Sequence, residues 1–403
     1  MVNGKLATVS FTIHHLPFTI ISMIYFDNNA TTCVAPEALA AMQPFLEKFY
    51  GNPSSAYNFG REIRGLIETS RRQVAQLLGA EFSDEIVFTS GGTESDNWAI
   101  LGTIEAVPRK KHLVTTHVEH EAVRRVCEKL AGKGFEITWL EVSEAGFLDL
   151  DELRNSLREE TAIVSVMLAN NETGILFPVA EIARLVKENS GAVFHVDGVN
   201  AVGKVPIDLK NTAIDLFSIS GHKFHAPKGI GALYIKRGVT LPASAVGGGQ
   251  ENGRRAGTEA VHQIAALGAA ADSAADFSAM KKVAVLRDQL ENEILQKIPN
   301  SRLNGTNDKR FRLPNTSNIS FSNLNGEAIL ARLSDAGICV STGSACNAET
   351  HAASPVLQAM NIPYSDAMGA IRFSLGRYNT AAEVDLVLEI LPKIIEELRE
   401  MSL

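Results

Sequence analysis

Cysteine is scarce in this chain of 403 residues, and its four cysteines never occur as a Cys-x-x-Cys pair. Their scattered positions exclude the spacing of a structural zinc site and of a disulfide framework, so we expect no metal centre. Unpaired cysteines are typical of a reducing compartment, and we therefore expect the protein in the cytoplasm. The four are Cys33, Cys127, Cys339 and Cys346.

Long apolar runs and long basic runs are also missing. The first 22 residues are largely apolar, but His14, His15 and Pro17 interrupt them, whereas a membrane-spanning helix needs about 20 unbroken apolar residues. We interpret residues 1–22 as an N-terminal extension. The 38 Lys and Arg and 46 Asp and Glu give a net charge of −8 without basic clusters. Neither a membrane nor nucleic acid is therefore an expected partner.

What the chain does contain is an alternation of strand-like and helix-like segments. Short apolar runs rich in β-branched residues lie at 86–89, 113–116, 162–168, 192–196 and 214–219. Helix-like stretches occur at 61–78, 121–131, 150–158 and 179–188. This alternation predicts an α/β fold with a large, mostly parallel, doubly wound sheet.

The pattern changes after residue 275, and the length of the chain suits two domains. A long helix to about 295, a strand at 318–321, a helix at 327–336 and a last helix at 382–398 predict a smaller α+β domain. We expect a large domain over 23–275, whose first residues can pack on the small domain. The small domain, 276–403, would carry the loop with Cys346.

Ligands of open α/β sheets bind at the carboxyl ends of the strands, and this is where the unusual residues of the chain occur. Gly92 and Thr93 follow the first predicted strand and suit a phosphate-binding turn at a helix N-terminus. An ordinary strand-to-helix turn explains these two residues about as well.

Two charged residues follow later strands. Asp197 ends an apolar strand, where a lone charge is costly. A protonated pyridine nitrogen would be a suitable partner, although an Arg or a helix start is the alternative. Lys223 could form a Schiff base, and its occurrence with Asp197 and the glycine turn favours this over a solvated lysine. Ser220 and His222 could bind the same phosphate.

Four other side chains carry suitable chemistry. Asn171 could bond a ring hydroxyl or a substrate carboxylate, or only form a turn. His120 could stack on an aromatic cofactor and transfer protons, although a lone histidine is more often structural. Arg372 offers a planar fork for an amino-acid carboxylate, with a surface ion pair as the alternative. Cys346 lies among small residues that favour a mobile loop, whereas Cys339 reads as a core residue.

Together these segments resemble cysteine desulfurases, most closely the nitrogen-fixation type associated with iron–sulfur cluster assembly. The similarity extends almost from end to end. The matching segments are 25–32, 51–55, 90–97, 169–174, 220–223, 255–258, 342–346 and 372–377.

The resemblance implies an aspartate-aminotransferase-like fold (fold type I) and a homodimer that uses pyridoxal 5'-phosphate. It implies that Cys346 takes sulfur from L-cysteine as a persulfide, leaving L-alanine, and passes it to an iron–sulfur scaffold or another acceptor protein. The implied roles are Lys223 for the Schiff base and as base, His120 for ring stacking and later proton transfers, Asp197 for the ring nitrogen, Gly92, Thr93, Ser220 and His222 for the phosphate, Thr258 for the phosphate of the neighbouring subunit, and Asn171 and Arg372 for the substrate carboxylate.

The chain also departs from the family pattern. It has Gly198 and Asn200 where relatives carry Ala and Gln, so the amide near the ring hydroxyl is one methylene shorter, and Asn347 follows Cys346 where relatives usually have Thr or Ser. Selenocysteine lysis, cystine cleavage or another reaction on the same cofactor is the nearest alternative. A catalytically idle binding or scaffold subunit is the second.

Overall fold

The computed structural model describes residues 23–342 and 353–401 of the chain. The strands in these ranges are β1 (Ile24–Tyr25), β2 (Ile86–Thr89), β3 (His112–Thr116), β4 (Glu136–Leu140), β5 (Thr161–Ser165), β6 (Val193–Asp197), β7 (Leu216–Ser220), β8 (Gly231–Ile235), β9 (Ser301–Leu303), β10 (Thr316–Phe321), β11 (Ile338–Cys339) and β12 (Ala370–Ser374). The α-helices are α1 (Pro36–Glu47), α2 (Asn58–Leu77), α3 (Gly92–Ala106), α4 (Glu121–Ala131), α5 (Leu150–Ser156), α6 (Val179–Asn189), α7 (Val261–Ala274), α8 (Ser278–Lys297), α9 (Gly326–Asp335), α10 (Pro355–Ala359), α11 (Tyr364–Ala367) and α12 (Ala381–Glu400).

A seven-stranded sheet with the order β2-β8-β7-β6-β5-β3-β4 forms the centre of the protein. Strand β8 runs antiparallel to both of its neighbours, and the pairs from β7 to β4 are parallel. Helices cover both faces, so strands such as β2, β5 and β7 are buried along their whole length. This double covering explains why they read as continuous apolar runs rather than as alternating patterns.

The predicted α/β fold with a mostly parallel sheet is confirmed, and the predicted elements fall close to the observed ones. Strand β2 and helix α4 have the predicted bounds. The predicted strand 162–168 is longer than β5. However, the amides of Val166 and Leu168 still donate to the carbonyls of His195 and Asp197, so pairing with β6 continues past the end of β5.

A second sheet, antiparallel with the order β12-β10-β9, packs with helices α8, α9 and α12 around a separate core. Strand β1 pairs in parallel with β11, which places Ile24 and Phe26 in this second core. Apolar residues between 353 and 370 instead join the core of the large sheet. The domain boundary at residue 275 stays a prediction.

The two remaining expectations concern Cys339 and membrane helices. Cys339 lies in β11 and is partly buried, and burial raises the pKa of its thiol. In residues 23–342 and 353–401, no helix is both long enough and apolar enough to cross a membrane.

The sequence prediction includes only the N-terminus of helix α3, at Gly92 and Thr93, and it leaves strand β8 unassigned. Helix α3 contacts the sheet and also α4, and Trp98, Ala99, Ile100 and Thr103 are all buried. A helix that is covered on several sides has no polar face, and therefore no clear 3.6-residue pattern. Strand β8 follows the Lys-Gly-Ile-Gly segment as a five-residue run that periodicity alone does not classify.

The space beside the end of β6 is filled by an aromatic ring and leaves no room for a larger residue at position 198. A Cβ added to Gly198 would overlap the ring of Phe217, which is fully buried. We predict that Gly198→Ala lowers the free energy of unfolding by about 1–3 kcal/mol. Denaturant unfolding measures this loss.

Two further variants test the cause. Phe217→Leu in the Gly198→Ala background should recover part of the lost stability, because it removes the ring that the new methyl group would meet. Gly65→Ala, in the exposed part of α2 where the added Cβ meets nothing within 4 Å, should be neutral or stabilising by up to about 1 kcal/mol. Equal losses at positions 65 and 198 would contradict the overlap.

Candidate active site

A cavity of about 710 Å³ opens at the carboxyl ends of the central strands. Of the predicted site residues that the structure describes, all except Thr258 line it. The residues brought together are Gly92, Thr93, His120, Asn171, Asp197, Asn200, Ser220, His222, Lys223 and Arg372. The large sheet contributes most of them, and Arg372 comes from β12 of the second sheet.

One wall of the cavity is the start of helix α3 and the end of β7. Gly92 begins the helix, and the first amides of any helix have no partner within it. Ser220 ends β7 opposite this turn, so a Cβ added to Gly91 would lie 3.5 Å from its hydroxyl. His222 bonds the Thr31 hydroxyl through Nδ1 at 3.1 Å. Burial, followed by the nearby lysines, lowers the pKa of His222 to about 4, so the ring is neutral at pH 7.

Asp197 lies on the cavity wall at the end of β6. It is buried, and its Oδ1 accepts the amide of Val199 at 2.9 Å. In the part of the chain that the structure describes, no Lys or Arg forms an ion pair with it, so the proposed Arg partner is not found there. Burial raises the pKa of Asp197, and the nearby His120 and Lys223 oppose this increase.

Two further carboxyl groups lie in the same region. Burial, together with the charge of Asp197, raises the pKa of Asp96 well above its usual value. The pKa of Glu119 is raised to about 8, again mainly by burial. Glu119 Oε1 accepts from the Thr116 hydroxyl and the Met167 amide, but neither Glu119 Oε2 nor Asp96 Oδ1 forms a hydrogen bond. Sequence reasoning missed both acids.

The amine of Lys223 lies in the cavity at the end of the short 3-10 helix Gly221–Lys223. It donates to the backbone carbonyls of Asn29 at 2.5 Å and of Ala30 at 3.0 Å. These bonds join the lysine after β7 to the segment after β1.

The ring of His120 faces the cavity directly before helix α4. Its Nδ1 accepts the amide of Ala122 at 3.1 Å, which caps the helix. An amide can only donate, so Nδ1 carries no proton and Nε2 carries the single proton of the neutral ring. Burial lowers the pKa of His120, which favours the neutral ring.

Asn200 is oriented by Lys204, a buried lysine that sequence reasoning missed. The Lys204 amine donates to Asn200 Oδ1 at 2.8 Å, to the Asn200 carbonyl and to Asn29 Oδ1. Burial, together with the nearby Lys223 and Arg372, lowers the pKa of Lys204 well below its usual value. Since the oxygen faces Lys204, the buried Nδ2 of Asn200 is left as a donor without a partner.

Asn29 was noticed in the sequence only as part of a matching segment, yet it links both sheets. Its Nδ2 donates to the Asn171 carbonyl at 3.1 Å and to the Thr316 hydroxyl at 2.8 Å. Its Oδ1 accepts from Lys204 and from Asn315. Nothing in the local pattern of an Asn-Asn pair after a two-residue strand signals this role.

Arg372 is 4% exposed, so the surface ion pair considered from the sequence is not what the structure shows. Its guanidinium donates to the Asn171 carbonyl at 3.0 Å and to Asp27 Oδ1 at 2.6 Å. Asn171 uses its backbone carbonyl in these contacts, and its side-chain amide remains on the cavity wall. Guanidinium and amide groups together suit a carboxylate ligand.

Two predicted site residues remain to be placed. Thr258 lines a neighbouring cavity of about 80 Å³ that shares Ser90 and Gly229 with the main one. Its role towards a second subunit stays a prediction. Cys346 lies outside the described residues, although Ser341 before it and Pro355 after it both line the main cavity.

The raised pKa of Glu119 predicts a dependence of stability on pH. The unfolded carboxyl titrates near pH 4.3, so between roughly pH 4 and 8 the folded protein retains a proton that the unfolded chain releases. Stability therefore falls as the pH rises through this window, by up to about 1.4 kcal/mol per unit. Glu119→Gln should remove the contribution of Glu119, so its stability should fall less steeply with pH and exceed that of the wild type at pH 8, while the raised pKa values of Asp96 and Asp197 still contribute.

Denaturant unfolding of the cofactor-free protein between about pH 5 and 8 measures the difference. Glu62→Gln, on the exposed face of α2, is the control and should follow the wild type. Identical slopes for Glu119→Gln and the wild type would show that Glu119 is ionised in the folded protein.

Comparisons with known proteins agree with this geometry. Residues 24–387 match the family model "Aminotransferase class-V". The chain is 53% identical over 384 residues to a cysteine desulfurase of Trichormus azollae, covering 95% of both chains. It is 48% identical over 381 residues to the cysteine desulfurase NifS of Azotobacter vinelandii, covering 94% of both. A solved structure titled NIFS-like protein, 38% identical, superposes with a TM-score of 0.87 over 93% of this chain and 100% of that one. The chain therefore belongs to the class-V aminotransferase family and, within it, to the cysteine desulfurases.

Proposed function

We propose that this protein removes the sulfur of L-cysteine, releases L-alanine and holds the sulfur as a persulfide on Cys346. The observation that carries the proposal is the convergence of Lys223, Asp197 and Arg372 on one cavity. An amino-acid reaction on pyridoxal 5'-phosphate needs three groups. Lys223 supplies a reactive amine, Asp197 a carboxylate for the cationic ring, and Arg372 a guanidinium for the substrate carboxylate.

The described residues fit this cofactor. In the described chain, Asp197 forms no ion pair with Lys or Arg, although Lys223 lies nearby, and the buried Nδ2 of Asn200 has no acceptor. A protonated ring nitrogen and a ring hydroxyl would satisfy these two groups respectively. The turn at Gly92, with Ser220 opposite, offers donors for a phosphate.

We assign the contacts as follows. The Lys223 amine would hold the cofactor covalently, and His120 would stack on its ring. The phosphate would bind Gly92, Thr93, Ser220 and His222, with Thr258 supplied by the neighbouring subunit of a homodimer. When bound, the cofactor provides an electron sink for the charge left when the substrate loses its Cα proton.

The side chains of the chain itself then orient the substrate and move protons. Arg372 and the Asn171 amide hold the carboxylate of cysteine, which fixes the Cα proton relative to Lys223. The Lys223 amine takes this proton as general base, and His120 offers the proton on Nε2 in later steps. The Cys346 thiolate attacks the substrate sulfur. The C–S bond breaks and an S–S bond forms, so cysteine and the enzyme thiol become alanine and a persulfide.

The oligomeric state, the location in the cell and the sulfur acceptor also follow from this proposal. We propose a homodimer, in which Thr258 reaches the other subunit's cavity, and a cytoplasmic location in keeping with four scattered cysteines. An iron–sulfur scaffold or another acceptor protein would receive the sulfur from Cys346.

The central test is incubation of the holoenzyme with L-cysteine, followed by mass analysis of the peptide that carries Cys346. We expect a mass increase of one sulfur atom and release of alanine. Cys346→Ser should abolish both, and Cys339→Ser, in the partly buried β11, is the control that should retain both. Normal alanine release by Cys346→Ser would favour another reaction on the same cofactor.

A second test concerns the lysine. Lys223→Ala should abolish catalysis and remove the visible absorbance band of the covalently held cofactor, because it removes the amine to which we assign the covalent bond. Lys228→Ala, which removes a second lysine of the cavity wall, should keep the band. A band that survives in Lys223→Ala but disappears in Lys228→Ala would move the covalent site to residue 228.

A further inference from the structure

A buried side-chain pair attaches the chain beyond Cys346 to the cavity wall. The Ser354 hydroxyl donates to Glu172 Oε2 at 2.5 Å. Both residues are buried, with exposed fractions of 2% and 6%. Ser354 follows residues 343–352, which lie outside the described chain, and Glu172 lines the main cavity directly after Asn171.

Ser354 also fixes the start of helix α10. Its oxygen accepts the amides of Val356 and Leu357 at 3.1 and 3.3 Å, so one hydroxyl caps the helix and donates to Glu172. Pro355 and Val356 line the cavity next to it. The first turn of α10 is therefore oriented by the cavity wall and not by helix packing alone.

Glu172 is itself held firmly on its own side. Its amide donates to Asn170 Oδ1 at 2.9 Å, and its carbonyl accepts from Asn318 of β10. Burial raises the pKa of its carboxyl to about 7, while the Ser354 hydroxyl and Arg372 act in the opposite direction. Burying an acid costs free energy unless the acid is hydrogen-bonded. In the described structure, the bond from Ser354 offsets part of this cost.

The upstream end of the same segment is attached at a nearby point. Ser341 and Arg372 exchange backbone hydrogen bonds of 3.2 and 2.6 Å. Arg372 also donates to the carbonyl of Asn171, the residue before Glu172. Both attachments of the segment that contains Cys346 are thus made to residues beside the proposed carboxylate site.

We propose that Glu172 and Ser354 are positioning residues for the sulfur-transfer step, and that their hydrogen bond fixes the downstream attachment of the segment carrying Cys346 relative to the bound substrate. This inference rests on the proposed function, because it requires Cys346 to receive the sulfur. Neither residue takes part in the chemistry, and their effect is on the geometry with which the thiol meets the substrate sulfur.

The experiment compares holoenzyme variants in a single turnover with L-cysteine, with quenched samples analysed for persulfide on Cys346. Glu172→Ala and Ser354→Ala should each slow persulfide formation roughly ten- to hundredfold, because small misplacements of a reacting group have effects of this size. The affinity for cysteine, from the spectral change on binding, should stay within about twofold, because Arg372 and Asn171 are intact.

Conservative variants separate the hydrogen bond from folding and from charge. Ser354→Thr keeps the hydroxyl, and Glu172→Gln keeps an acceptor oxygen without the charge, so both should retain the rate within about threefold. The double variant Glu172→Ala/Ser354→Ala should be no slower than either single variant, since the two residues act through one bond. Asp149→Ala is the matched control: Asp149 also caps a short helix through two amides but has no bond to the cavity wall, and its loss should leave the rate unchanged.

Three results would overturn the inference. They are a normal rate in folded Ser354→Ala, a loss of cysteine affinity equal to the loss of rate, and rate losses that multiply in the double variant. If the wild type itself forms no persulfide on Cys346, the proposed function is wrong as well. If the wild type forms the persulfide and Ser354→Ala forms it at the same rate, only the positioning role is overturned.

Discussion

The geometry of the cavity depends on one buried amide near the start of the described chain. Asn29 is 1% exposed, and its side chain joins Lys204 of the large sheet domain to Thr316 of β10. Its backbone carbonyl accepts from Lys223, and its Nδ2 holds the carbonyl of Asn171. A fully bonded buried amide tolerates little displacement, because each broken bond leaves a polar group without water. The Lys223 amine and the proposed carboxylate site at Asn171 are therefore held in fixed positions relative to each other.

Burial favours the neutral form of five titratable groups in and beside the cavity. It lowers the pKa of His120, His222 and Lys204 and raises that of Asp96 and Glu119. In such surroundings a charge interacts more strongly than it does in water, because little solvent screens it. Charged groups brought in by a ligand would consequently be held by a few well-placed partners, and these partners are the side chains that sequence reasoning selected from the strand ends.

The sequence predicted the fold class and most of the cavity for a physical reason. Strands covered on both faces must be apolar, so a polar residue at their ends, such as Asp197 or Lys223, stands out in the pattern. Asn29, Lys204 and Glu119 gave no such signal, because their roles depend on contacts between residues far apart in the chain. The extent of helix α3 beyond its N-terminus was missed for the opposite reason, since burial on several sides removes the polar face that marks a helix.

The positions of the partners of Asn29 have a consequence for biosynthesis. Asn315 and Thr316 follow it by nearly three hundred residues. Ser374, whose hydroxyl accepts a hydrogen bond from the backbone N–H of Asn29, comes later still. A nascent chain that has not yet reached residue 374 can already contain the whole central sheet, but Asn29 has not yet met Ser374. Such contacts between distant segments are slow to form, so this geometry is completed only after Ser374 has been synthesised.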